Sequence, residues 1–123
     1  MARILVIDDD SHIREMLRFL FESEGHEVLE ASEGEAAMRV HLQTPADLVV
    51  TDILMPGKEG VQTIIDFRRD FPGIKIIAIS GGGIVGPALY LRLAEKFGAQ
   101  KAFTKPLEVD KLMGAARELL AVR

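Results

Sequence analysis

The sequence predicts an α/β fold: a doubly wound, five-stranded parallel sheet with helices on both faces. Three observations lead there. Five short apolar runs alternate strictly with five stretches of helical periodicity, and such alternation requires parallel strands joined by right-handed crossovers. The runs RILVI, LVV and IKIIAI are nearly continuous in apolar residues rather than alternating, as expected of strands covered on both faces. Each core run then stops at polar residues, and the carboxyl ends of strands are where open α/β sheets present ligand sites.

Each element has its own signals. Arg3–Ile7 is the first strand, halted by Asp8, Asp9 and Asp10. Asp10 and Ser11 are helix caps, and Ile13, Met16, Leu17, Leu20 and Phe21 recur at helical spacing up to Gly25, with Phe19 off the stripe. His26–Ala31 is a weaker second strand, nearer an edge. Ser32 and Glu35 have capping-box spacing and open a helix to about Gln43, ended by Thr44-Pro45. Asp47–Thr51 is the third strand, and after a connector a helix begins near Gly60 or Val61, broken by Phe71-Pro72-Gly73. Ile74–Ile79 is the fourth strand. Gly86-Pro87 opens a helix carrying Leu89, Leu93, Ala94 and Phe97 and stopped at Gly98. Lys101–Thr104 is the fifth strand, and Val109, Leu112, Met113, Ala116 and Leu120 mark the last helix.

Size and composition narrow the function. A chain of 123 residues is read as one domain, 1–123, with no effector domain. The net charge is −4 and no run of Lys or Arg exceeds a pair, which argues against a nucleic-acid partner. Without Cys there is neither a thiolate nucleophile nor a Cys-ligated metal. The N-terminus enters an apolar run at once, unlike a signal peptide, and no run approaches membrane-spanning length, so no membrane partner and a cytoplasmic location are expected.

If the strand order is 2-1-3-4-5, the first and third strand ends are neighbours, which gathers Asp8, Asp9 and Asp52; the fourth end adds Ser80 and the fifth Lys105. Carboxylates about 5 Å apart repel by roughly 3 kcal/mol per pair at an effective dielectric of about 20. A hard divalent cation removes that conflict, and an all-oxygen site suits Mg²⁺, with Mn²⁺ able to substitute. A carboxylate can accept a phosphoryl group as an aspartyl phosphate, and phosphoryl transfer needs mainly positioning and neutralisation of its oxygens. The cation, Lys105 and the Ser80 hydroxyl would each take one oxygen, with backbone N–H groups of Ile53 and Gly81 completing the cradle. The residues describe a phosphoacceptor site on Asp52.

The motifs ILVIDDD, TDILMPGKEG, IIAIS and FTKP stand in that order along the chain. In this the sequence resembles a response-regulator receiver domain over essentially its whole length. The resemblance implies the flavodoxin-like receiver fold, Mg²⁺ dependence, and a phosphoryl group taken from a phosphohistidine on a histidine kinase or histidine phosphotransfer protein. It implies a signalling switch of a two-component system or phosphorelay rather than an enzyme, with an unknown downstream protein target. By the family's pattern Asp9, Asp52 and the backbone carbonyl of Leu54 ligate the metal and Asp8 acts through water. A cis bond before Pro106 would aim Lys105 inward.

Two departures stand out. The family's usual aromatic residue three positions before the lysine is Ala102 here, with Phe103 expected on the other side of the strand. The positions two residues after Asp52 and Ser80 are Leu54 and Gly82, whose side chains cannot hydrogen-bond a hydrolytic water, so slow self-dephosphorylation is expected. His12, His26 and His41 read as solvent-facing. Two other functions share some features. One is a binding module that no longer uses phosphate; the other is a phosphatase with Asp8 as nucleophile and Asp10 as general acid, which leaves Asp52 unexplained.

Overall fold

The computed structural model describes residues 1–53, 60–80 and 87–121. In chain order the elements are β1 (Arg3–Ile7), α1 (Ser11–Ser23), β2 (Glu27–Ala31), α2 (Gly34–Gln43), β3 (Leu48–Asp52), α3 (Gly60–Asp70), β4 (Lys75–Ser80), α4 (Pro87–Phe97), β5 (Lys101–Thr104) and α5 (Val109–Ala121). The strands form one sheet in the order β2-β1-β3-β4-β5, every pairing parallel. The predicted fold class and strand order are those of the structure.

Alternation along each strand divides the core into two layers. Leu5, Ile7, Val49, Ile76 and Ala78 pack with Ala37 of α2, Ile64 and Phe67 of α3 and Ala94 of α4. Ile4, Val6, Leu48, Val50, Ile77 and Ile79 pack on the other face with Leu17 and Phe21 of α1 and Leu112 and Met113 of α5. All five residues of β3 are buried, which is why its sequence shows no alternation. Phe21 and Phe67 are fully buried, each stabilising the fold by about 1.5–3 kcal/mol relative to exposure. Ala102 packs on the first layer and Phe103 on the second, the opposite orientations expected of neighbours in a strand.

Several local readings are corrected. Ser11 is the first residue of α1, and Asp10 alone caps it, accepting from His12 N–H at 2.9 Å. The cap of α2 is Glu33 rather than Ser32: its carboxylate accepts from the backbone N–H groups of Ala36 and Glu35. β2 starts at Glu27, one residue later than expected, and β3 and β4 run on to include Asp52 and Ser80. Phe97 and Val109 lie on their helical stripes but near the helix ends, where they stay exposed. His41 is buried, not solvent-facing. Its Nδ1 accepts from Ala46 N–H at 3.0 Å, and its ring meets Phe71 edge-on at 4.3 Å and Phe67 at 5.4 Å. His26 is half-buried and its Nδ1 accepts from Ala2 N–H, whereas His12 is exposed.

Candidate functional site

Strand register sets the site. Ile7 pairs with Thr51, Asp52 with Ile79 and Ser80 with Thr104, so the four core strands end at nearly one level. Asp52 shares the face of Val50 on the α1–α5 side, whereas Ser80 follows Ala78 on the other face. The backbone N–H of Lys105 donates to Ser80 O at 2.9 Å, carrying the β4–β5 pairing one step past the strands. The Lys105–Pro106 peptide is cis.

At this rim the Lys105 ammonium donates to Asp52 Oδ2 at 2.9 Å and to Asp8 Oδ2 at 3.2 Å. Asp8 and Asp52 are buried and Asp9 is exposed, yet one carboxylate oxygen from each lies within 4.8 Å of the others. Lys105 thus bridges the two buried carboxylates of the three. Burial pushes the Asp8 carboxyl up from its ordinary value of 3.8 to about 6, against the lowering effect of its hydrogen bond from Asp10 N–H; the Asp52 charge raises it further and Lys105 opposes. Burial by itself would lower the Lys105 pKa, but its hydrogen bond and charge interaction with Asp52, then with Asp8, leave it raised. The donor set, three carboxylates at an open rim, is the kind a hard divalent cation prefers.

The Ser80 hydroxyl is fully buried and has no hydrogen-bond partner among the described residues. Buried polar groups are nearly always paired, so an orphan hydroxyl beside a charged cluster marks a place where a ligand oxygen fits. Ile53 differs from expectation. Its N–H donates to Ile79 O at 3.0 Å, continuing the β3–β4 ladder, so it is already engaged. Leu54, Gly81 and Gly82 lie outside the described residues. Asp10, the general acid of the phosphatase alternative, spends its carboxylate on the α1 cap. One contact went unread in the sequence: Arg14 Nη1 donates to the backbone carbonyl of Asp8 at 2.6 Å. Its only sequence signal is a position one helical turn after the Asp10 cap.

With that geometry in view, comparison with known proteins is decisive. The chain matches the response regulator receiver domain family over residues 4–117. It belongs to that family. Receiver domains are the phosphoacceptor switches of two-component response regulators. Similar proteins include the sporulation initiation phosphotransferase F of Bacillus subtilis, 26% identical over 121 residues that cover 98% of this chain and 95% of that one. The transcriptional regulatory protein GlrR of Escherichia coli is 29% identical over 119 residues, 97% of this chain but 26% of GlrR, so this receiver spans only a minor part of that relative. Among solved structures, a response regulator receiver domain protein from Clostridium thermocellum superposes with a TM-score of 0.89 at 32% identity, covering 98% of this chain and 95% of that one. No described helix of this receiver is long and apolar enough to cross a membrane.

Proposed function

We propose that this receiver takes a phosphoryl group from a phosphohistidine of a histidine kinase or histidine phosphotransfer protein onto Asp52, and passes the signal to a protein target in the cytoplasm. The observation that carries this reading is the pairing of Lys105 with Asp52 at 2.9 Å, together with the buried hydroxyl of Ser80, which has no hydrogen-bond partner among the described residues. A carboxylate oxygen of Asp52 attacks phosphorus, the P–N bond breaks, and its electron pair leaves with the donor imidazole. Lys105 already touches the nucleophile and neutralises an incoming phosphoryl oxygen. Ser80 supplies the donor that its empty hydrogen-bonding capacity leaves available.

Asp8, Asp9, Asp52 and the Leu54 carbonyl are the groups that would hold Mg²⁺, or Mn²⁺ in its place. The bound cation supplies charge neutralisation for the acidic cluster and the phosphoryl oxygens. Once Asp52 carries the phosphoryl group, its single carboxylate charge becomes up to about two negative charges on the phosphoryl oxygens, and Lys105 and Ser80 rearrange around it, biasing the neighbouring β4–β5 surface. With Leu54 and Gly82 at the positions that would steer water, the aspartyl phosphate is long-lived. We read 1–123 as one receiver domain working as a switch rather than as an enzyme.

The test is incubation with a small-molecule phosphodonor and Mg²⁺, scoring hydroxylamine-labile phosphate. Incorporation that disappears in Asp52→Ala and on chelation is expected. Equal incorporation into wild type and Asp52→Ala, or none into wild type, overturns the proposal.

A further inference from the structure

We propose that Arg14, held by Glu30, is a positioning residue for the acidic loop after β1 and sets the affinity of that loop for a divalent cation. The inference rests on the metal-binding role proposed above and adds two residues to it. Glu30 lies on the edge strand β2 and shares the face of Val28, which is buried in the core layer that holds Leu17 and Phe21 of α1. That places its carboxylate along α1. Arg14 stands in the first turn of α1, its backbone N–H bonded to Asp10 O at 3.1 Å.

The guanidinium uses two of its donors for two different purposes. Nε donates to Glu30 Oε1 at 3.1 Å, and Nη1 donates to the carbonyl of Asp8 at 2.6 Å. Because the fork is planar and rigid, fixing one edge on Glu30 aims the other at the Asp8 carbonyl. That carbonyl belongs to the peptide joining Asp8 to Asp9. Asp8 is held from three further directions, by its own N–H on Ala31 O at 3.2 Å, by Asp10 N–H on its Oδ1 at 2.9 Å and by the Lys105 ammonium on its Oδ2 at 3.2 Å. Holding the peptide plane therefore fixes the direction in which the exposed Asp9 leaves it.

Charge is not the means. Glu30 Oε2 also accepts from Arg18 Nε at 2.7 Å, and Arg18 Nη1 donates to Glu22 Oε2 at 3.0 Å. The ladder thus contains two arginines and two glutamates, and its formal charge is zero. What it delivers to the acidic loop is geometry. Exposure falls along the ladder toward the site: the Glu22 and Arg18 side chains are 48% and 38% exposed, Glu30 and Arg14 28% and 20%. The inner pair is the better shielded and the better able to hold a fixed arrangement.

Arg18 provides the control, because it shares the ladder and Glu30 but has no contact with Asp8 among the contacts described here. Mg²⁺ affinity is measured by calorimetric titration on wild type, Arg14→Met, Glu30→Gln, Arg18→Met and Asp9→Asn, each first shown to fold by its metal-free melting curve. Partners that orient metal ligands commonly change affinity by about tenfold or more. Arg14→Met is accordingly expected to weaken Mg²⁺ binding about tenfold, and Glu30→Gln to weaken it in the same direction. Arg18→Met should stay within about twofold of wild type even where its melting temperature falls as far. Arg14→Lys, which can reach one partner but not fork between two, should fall between Arg14→Met and wild type. If Arg14→Met fails to fold, Glu30→Gln carries the test by itself. Wild-type affinity in both Arg14→Met and Glu30→Gln, or an equal loss in Arg18→Met, overturns the inference. No Mg²⁺ binding by wild type, or undiminished binding by Asp9→Asn, overturns the metal site itself, and that result is distinguishable from the other.

Discussion

Replacing Asp8 by Asn should stabilise the metal-free receiver while weakening its metal site. Asp8 is buried beside Asp52, and one lysine serves both. Burial lifts its carboxyl from 3.8 to about 6. Holding it ionised at pH 7 therefore works against folding, by an upper bound of about 3 kcal/mol at 1.36 kcal/mol per unit. Screening at the open rim reduces this to about 1–2 kcal/mol. Asn keeps the oxygen that accepts from Asp10 N–H and removes the charge, so Asp8→Asn should gain that amount, about 4–8 °C in melting temperature for a chain of this size. The sign follows from linkage: the folded state holds this proton more tightly than the unfolded chain does, so wild-type stability falls as pH rises from 3.8 to about 6. The advantage of the variant should be full at pH 7.5 and nearly gone at pH 3.5. Thermal and urea denaturation in chelator at the two pH values measures it, and added Mg²⁺ should stabilise wild type more than the variant. A variant less stable than wild type at pH 7.5, or an advantage unchanged at pH 3.5, refutes the reasoning.

Three other outcomes are expected. Ser80→Ala removes a buried hydroxyl that has no partner among the described residues, so metal-free stability should hold or rise by up to about 1 kcal/mol. In the same variant, phosphorylation by a small-molecule donor should slow by at least about tenfold; an unaltered rate would remove Ser80 from the mechanism. Gly98 has φ +132°, and a Cβ there would lie 2.8 Å from Arg68 Nε, on the side chain that donates to Gly98 O and Pro72 O. Gly98→Ala should lose about 1–3 kcal/mol in urea melts, whereas Gly73→Ala, with nothing within 4 Å of its Cβ, is the comparison; equal losses would discount the strain. Burial lowers the His41 pKa below 6.5. The folded state therefore takes up its proton less readily than the unfolded chain, and the ring's contribution is complete above 6.5 and lost as pH falls below it. The stability of wild type relative to His41→Gln should fall between pH 7.5 and 5.5, and a pH-independent difference would count against the neutral, N–H-accepting ring.

The strands were legible because burial on both faces writes itself directly into composition. Ile4–Ile7 and Leu48–Val50 are almost fully buried, and no other element of a small α/β domain needs such unbroken apolar runs. Helix caps were harder. Ser32 and Glu33 are both competent cap residues in adjacent positions, and only the backbone path shows that the Glu33 carboxylate reaches the Ala36 and Glu35 N–H groups. His41 was misread for a similar reason: a histidine at a helix end looks exposed until Phe67 of α3 and Phe71 just after it are seen to close over it.

The sequence by itself determined the fold class and singled out Asp8, Asp9, Asp52, Ser80 and Lys105 as candidates, because each of these residues terminates a strand or lies within two residues of the end of one. Strand ends in a parallel sheet converge whatever their separation in the chain. Only the tertiary structure decided how that set is wired. That Lys105 bridges Asp52 and Asp8, that Ser80 has no partner among the described residues, and that the Ile53 N–H is already committed to Ile79 depend on register and side-chain direction. The Arg14–Glu30 pair shows the limit most plainly. Its partners are 16 residues apart on a helix and an edge strand, and charged residues at such positions look, in one dimension, like any solvated surface.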